Sequence, residues 1–169
     1  SDNFDFDDKT TITASSRFNL AFVELVDKLV PVYSRTETVD GDHRYFRFNP
    51  SLGFTHKYSS NSILHLNYRE ANRAPSPVEL ACASPTSPCR LPNAFVADPP
   101  LEQVITRSIE LGFKNNSSNI NRNSQWEAIA HWAINSDDIL FVSSGTGLSS
   151  GYFKNFGETW RRGLDIRYI

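Results

Sequence analysis

Two cysteines, four histidines and the adjacent aspartates Asp137 and Asp138 are side chains of this 169-residue sequence whose types invite chemistry. Cys82 and Cys89 stand with six residues between them in "CASPTSPC". In an oxidising compartment such a pair in a loop reads as a disulfide, and in a cytosolic loop as two free thiols. A zinc site needs more ligands, and no histidine lies near. His43, His56, His65 and His131 are scattered and show no HxxxH spacing, so no metal site is expected. Asp137 and Asp138 are consecutive, and a strand sends consecutive side chains to opposite faces. That is poor geometry for paired acid–base work and reads as a solvated loop margin. "SSGTGLSSG" has no GxxxxGK and no following helix, and Ser143 and Ser144 lack a GxSxG context. No catalytic residue, no metal and no cofactor is expected, and the protein is not read as an enzyme.

The elements that carry these residues follow from periodicity. Helical spacing is poor almost everywhere, while period-two alternation is strong. Residues 9–25 place Ile12, Ala14, Phe18, Leu20 and Phe22 on one face, with Thr11, Thr13, Ser15, Arg17 and Asn19 on the other. Residues 44–58 alternate Phe46, Phe48, Leu52 and Phe54 with Arg47, Asn49, Ser51 and Gly53. The same pattern recurs over 62–72, 103–114, 124–141 and 152–169, so about six strands are predicted. Several exceed the usual five or six residues of soluble strands, and crossing a bilayer needs about 9–11. The mean hydropathy of −0.41 and the lack of any long apolar run exclude a transmembrane helix but not a membrane β-barrel. A net charge of −2 with no basic block gives no field for nucleic acid.

The links alternate in length. They are long at 28–43 and 73–102, short at 59–61, shorter and polar at 115–123, and Gly/Ser-rich at 142–151. Outer-membrane barrels have short periplasmic turns and longer external loops. With the long links outside, Phe54, Tyr58, Trp126 and Tyr168 are expected to gather near an inner aromatic girdle. Arg107, Lys154, Glu158 and Arg162 fall on the nominally apolar faces. Most of the prolines crowd into the 73–102 link, which cannot build a core of its own.

Three stretches carry a family resemblance. "HLNYREANRAPSPVEL" resembles a strand running into the R-x-P that precedes a large external loop in TonB-dependent outer-membrane receptors. "SIELGFK" is similar to that family's E-x-G strand. "YFKNFGETWRRGLDI" resembles its Y-x-N-x-G-x-x-R-x-x-G-x-E motif, with Phe153, Trp160 and Asp165 where Tyr, Arg and Glu are commoner. The strands before residue 60 match only in pattern.

The resemblance implies an all-β chain: an antiparallel transmembrane barrel segment of about six strands, spanning 1–169, from the later part of a barrel of about 22 strands. It also implies a plug domain that this chain lacks. The expected activity is TonB-energised uptake of a scarce solute, such as a ferric siderophore or other metal chelate, across the outer membrane of a Gram-negative bacterium. The implied partners are the TonB complex through the missing plug, the solute and outer-membrane lipid, with no nucleic acid. Arg73, Arg90 and Asn93 are candidate external-loop ligand contacts. Arg161 and Arg167 are candidate contacts to plug or lumen, and Gly157 and Gly163 are expected to face inward beside them. The alternatives are a passive porin-like or structural barrel, and a soluble β-sandwich binding module.

Overall fold

The period-two stretches are strands in the computed structural model, which describes residues 1–28, 38–86, 89–90, 100–119, 122–145 and 150–169. In chain order they are β1 (Asp2–Asp7), β2 (Thr10–Leu25), β3 (Gly41–Ser59) and β4 (Ser62–Arg73), then a short helix α1 (Pro77–Leu80). There follow β5 (Cys89–Arg90), β6 (Val104–Asn119), β7 (Arg122–Ser136), β8 (Ile139–Ser143), β9 (Ser150–Asn155) and β10 (Glu158–Tyr168). Seven of them form one antiparallel sheet in the order β1-β2-β3-β4-β6-β7-β10. β5, β9 and β8 form a second, smaller sheet. The large sheet is open, with β1 and β10 as its edges.

Its strands are long: 16 residues in β2, 19 in β3 and 16 in β6. Register shows why the alternation matters. One row across all seven strands reads Phe4, Ile12, Phe54, Leu66, Leu111, Ala130 and Leu164. The parallel row on the opposite face reads Asn3, Thr13, Gly53, Asn67, Glu110, His131 and Gly163. The sheet thus has one apolar and one polar face, and the apolar face is bare: Phe18, Phe22, Phe46 and Leu164 are all more than three-fifths exposed. A contiguous apolar surface on this scale needs a covering phase.

The turns at one end are tight. Asp7 closes the β1–β2 turn by accepting from the Lys9 amide at 2.7 Å and the Thr10 hydroxyl at 3.1 Å, the Asx pattern that makes aspartate a turn residue. β3 and β4 are joined through residues 60–61. The 115–123 stretch, expected as a loop, is mostly strand, for β6 and β7 stay paired out to Asn119 and Arg122. Its Asn/Ser composition resembles a turn, but the cross-strand ladder overrides that local preference.

Three further differences from expectation have physical causes. The 124–141 segment begins at Arg122 and breaks after Ser136, where Asp137 adopts φ 56°, a left-handed conformation that aspartate tolerates better than most residues. Residues 152–169 likewise divide into β9 and β10 at Gly157, which has φ 51°. The amide of Asp137 donates to the Gly157 carbonyl at 2.8 Å, so the two breaks lie opposite each other and the β7/β10 pair continues into β8/β9 in a new sheet. β1 and α1 are additional elements. β1 pairs along β2 although its alternation of Phe with Asp is short and acidic.

The buried core lies at the end carrying the long links. Leu80, Ala83, Leu101, Val104 and Ile139 cluster there, with Val23, Leu25 and Phe153 packed against them. Loop and hairpin residues therefore form a small capped body on one end of the sheet.

Candidate functional site

The capped end is built around the loop after β4. Ser76 caps α1 by accepting from the Glu79 amide at 3.3 Å, while Glu79 accepts from the Ser76 amide at 2.7 Å. This reciprocal box, with Pro77 at the first helical position, satisfies donors that so short a helix cannot pair internally. Arg73 then clasps Glu79 with both guanidinium nitrogens, at 2.7 and 3.0 Å. Burial pushes the Glu79 carboxyl up, but the bonds from Arg73 and Ser76 outweigh it and hold its pKa below the usual glutamate value.

Cys82 and Cys89 are joined in a disulfide, and both residues are held against β9. Cys89 pairs with Gly151, and the Cys82 carbonyl accepts from the Phe153 amide at 2.7 Å. The linked ring thus ties the loop after β4 to the β8–β9 hairpin. Phe141 and Phe153 meet edge to face at 5.2 Å, and Phe141 covers Gly151, where a side chain would collide with the ring.

Below this body, β3 and β4 part. Their ladder stops at Ser51 and Arg69, beside Pro50, which has no amide hydrogen to donate. Polar side chains fill the split. The Asn72 carbonyl oxygen accepts from Asn19 at 2.8 Å and Asn49 at 2.7 Å, and the Asn72 amide donates to Gln103 at 2.7 Å. Glu70 accepts from Arg47 at 2.6 Å and from the Tyr68 hydroxyl at 2.7 Å. It also lies 3.6 Å from Arg107, its partner in register on β6.

That last pair resolves a charge the sequence left on the apolar face. Arg107 lies beside Glu70, which falls on the same alternation as Leu64, Leu66 and Tyr68 and is shared with Arg47. A carboxylate and a guanidinium both breaking the apolar pattern were the available signal. Arg162 lies over the Trp160 ring at 5.5 Å, and Lys154 belongs to the small sheet, over Phe156 at 5.7 Å. Trp126 and Tyr168 are direct cross-strand partners at the tight-turn end, and Phe113 meets Trp126 at 5.1 Å. Phe54 sits further along, in the middle of the apolar face, in the row of Leu66 and Leu111.

The sequence-predicted residues are distributed as follows. Arg73 and the disulfide share the capped end, and the Arg73 guanidinium is engaged by Glu79. Arg90 pairs with Ser150 through its backbone, and Asn93 lies outside the described residues. Arg161 and Arg167 are exposed on β10, opposite Ala133 and Glu127; Arg161 lies toward the capped end and Arg167 near the tight-turn end. Gly163 shares their face and is covered by His131, whereas Gly157 faces no neighbour and serves a left-handed turn. Asp138 accepts from the Thr159 hydroxyl at 2.7 Å, so the aspartate pair braces the sheet junction. Among the described residues no three His, Cys, Asp or Glu side chains converge to hold a metal ion.

Comparison with known proteins agrees with this architecture. A family model for the TonB dependent receptor-like β-barrel matches residues 1–168. A solved structure of a Serratia marcescens hemophore receptor, HasR, in complex with its hemophore HasA and heme, superposes with a TM-score of 0.64 at 12% identity. The alignment covers 98% of this chain and 30% of that receptor, so the likeness is one of fold over part of its length. No curated protein sequence matches significantly. With the family model running across nearly every strand described above, the chain belongs to the TonB-dependent receptor β-barrel family.

Proposed function

We propose that this chain forms part of the wall of an outer-membrane receptor that imports a scarce solute with energy supplied through TonB. The observation that carries the reading is the uninterrupted apolar row from Phe4 to Leu164 backed by the polar row from Asn3 to Gly163. In a bilayer the first faces hydrocarbon and the second a wet lumen, and every interior strand is paired with a neighbour on each side over at least part of its length. The capped end, with its disulfide and long links, then faces outward. The solute is of the metal-chelate class, siderophore or heme; the second follows the HasR neighbour, whose solved complex contains heme. The remaining strands, the plug and the TonB contact lie in the rest of the receptor on this reading.

The test is growth and uptake in a strain deleted for the full-length gene. Supplied with ferric chelates or heme as the iron source, the complemented strain grows and the deleted strain does not. The advantage vanishes when TonB is also removed. Uptake that persists without TonB points instead to a passive, porin-like barrel.

A further inference from the structure

The split between β3 and β4 leaves a depression of about 340 Å³, lined mostly by residues of the polar alternation together with Ser16, Glu70 and Asn72 of the other, and every lining residue but Ala71 is polar in type. Arg17 on β2 and Arg69 on β4 stand on either side of it. One strand, β3, separates theirs, and Arg17 stands opposite Asn49 while Arg69 stands opposite Ser51, so across that strand and a two-residue stagger their backbones are about 12 Å apart. Two guanidinium side chains of that reach can close on one small anion. Both are exposed, Arg69 by 62%. No carboxylate among the described residues pairs with Arg17, and Arg69 has only Glu110 at 3.6 Å.

The other charge in the lining is Glu70, and it is already committed to Arg47, Tyr68 and Arg107. The depression therefore carries net positive charge. Its floor is unfinished as well. Asn49 is 4% exposed, and its carbonyl oxygen has no hydrogen-bond partner although its amide is spent on Asn72. A buried acceptor left unmet costs about 1–3 kcal/mol and calls for a donor. Ser15, Ser16 and Ser51 add hydroxyls that either donate or accept.

We propose that this depression binds a small carboxylate-bearing solute that also carries hydroxyls. Arg17 and Arg69 clasp the carboxylate, and the serine hydroxyls and side-chain amides of the split receive its polar remainder. The site sits on the lumen side, below the capped end, so the proposal rests on the transport reading and names the solute chemistry that wall favours.

The experiment is calorimetry on the detergent-solubilised full-length receptor, with citrate as the probe and sucrose as the uncharged control. Citrate is expected to bind saturably and sucrose not to bind. The double variant Arg17→Gln/Arg69→Gln weakens citrate at least tenfold, whereas Lys57→Gln, on the same face near the tight turns, leaves it unchanged. Arg17→Lys/Arg69→Lys falls between. Unchanged folding of each variant is checked by circular dichroism and heat-modifiable gel mobility. Absence of citrate binding, or equal binding by the double variant, overturns the site. TonB-dependent uptake in cells is scored separately. Uptake without citrate binding removes this site alone, and citrate binding without TonB-dependent uptake removes the transport reading alone.

Discussion

The imidazole of His65 lies over Gly112, its register partner on β6, so closely that a β carbon there would stand 2.1 Å from the ring. His131 covers Gly163 on β10 in the same way, at 2.3 Å. In both pairs a ring shields a glycine backbone on the polar face, which restores the packing that a bare glycine forfeits in a strand. Each ring also reaches a carboxylate: His65 to Glu110 at 3.7 Å and His131 to Asp165 at 3.4 Å. Gly112→Ala and Gly163→Ala are each expected to push the ring aside and cost about 1–2 kcal/mol. A double-mutant cycle with His65→Ala or His131→Ala checks this by denaturant unfolding in detergent. Additive losses would show that ring and glycine do not interact.

The two faces give a sharper contrast, because Phe54 and Thr55 are neighbours in sequence but point to opposite sides of β3. Phe54→Arg places a charge among Ile12 and Leu66 and is expected to cost about 2–4 kcal/mol in a bilayer. Thr55→Arg faces the lumen and is expected to cost well under 1 kcal/mol. Folding of the full receptor into lipid vesicles measures both. Equal costs would contradict the assignment of faces.

The Arg73–Glu79 clasp makes the loop after β4 sensitive to acid. The Glu79 pKa is depressed in the folded protein, since burial is outweighed by the bonds from Arg73 and Ser76. Its contribution is therefore complete above the unfolded glutamate value of 4.5 and is lost as pH falls through the lower folded value. The hydrogen-exchange protection of residues 76–83, taken relative to intrinsic rates, is expected to fall as pH drops below the ordinary glutamate range. Glu79→Gln abolishes that pH step and raises exchange at neutral pH, so a step that survives in the variant assigns the acid sensitivity to another group.

Removing the disulfide should loosen two segments together. Cys82→Ala/Cys89→Ala relaxes a ring of few residues, worth about 2–3 kcal/mol by chain entropy. Because Cys82 and Cys89 both bond to β9, faster exchange is expected at 150–153 as well as 82–90, with β6 and β7 unchanged. Exchange confined to 82–90 would show that the hairpin does not depend on the clasp.

The alternation of Phe46, Phe48, Leu52 and Phe54 with Arg47, Asn49, Ser51 and Gly53 was enough to assign a strand, its two faces and the barrel class. Side chains repeat every two residues along a strand, so face follows from sequence position alone. The resemblance motifs at 65–80, 108–114 and 152–166 pointed to the family from the later part of the chain. Which side chains meet was not legible, because that depends on register between segments far apart in the chain. Glu70 meets Arg107, Asn72 gathers Asn19 and Asn49, and His65 finds Gly112 only once β2, β3, β4 and β6 are aligned. Nor could periodicity show that the chain leaves the large sheet at Asp137 and returns at Gly157, since that departure rests on two residues of left-handed backbone and not on side-chain alternation. Local pattern determined strand and face; hydrogen-bonded register between distant strands decided the split beside Pro50 and the polar depression it opens.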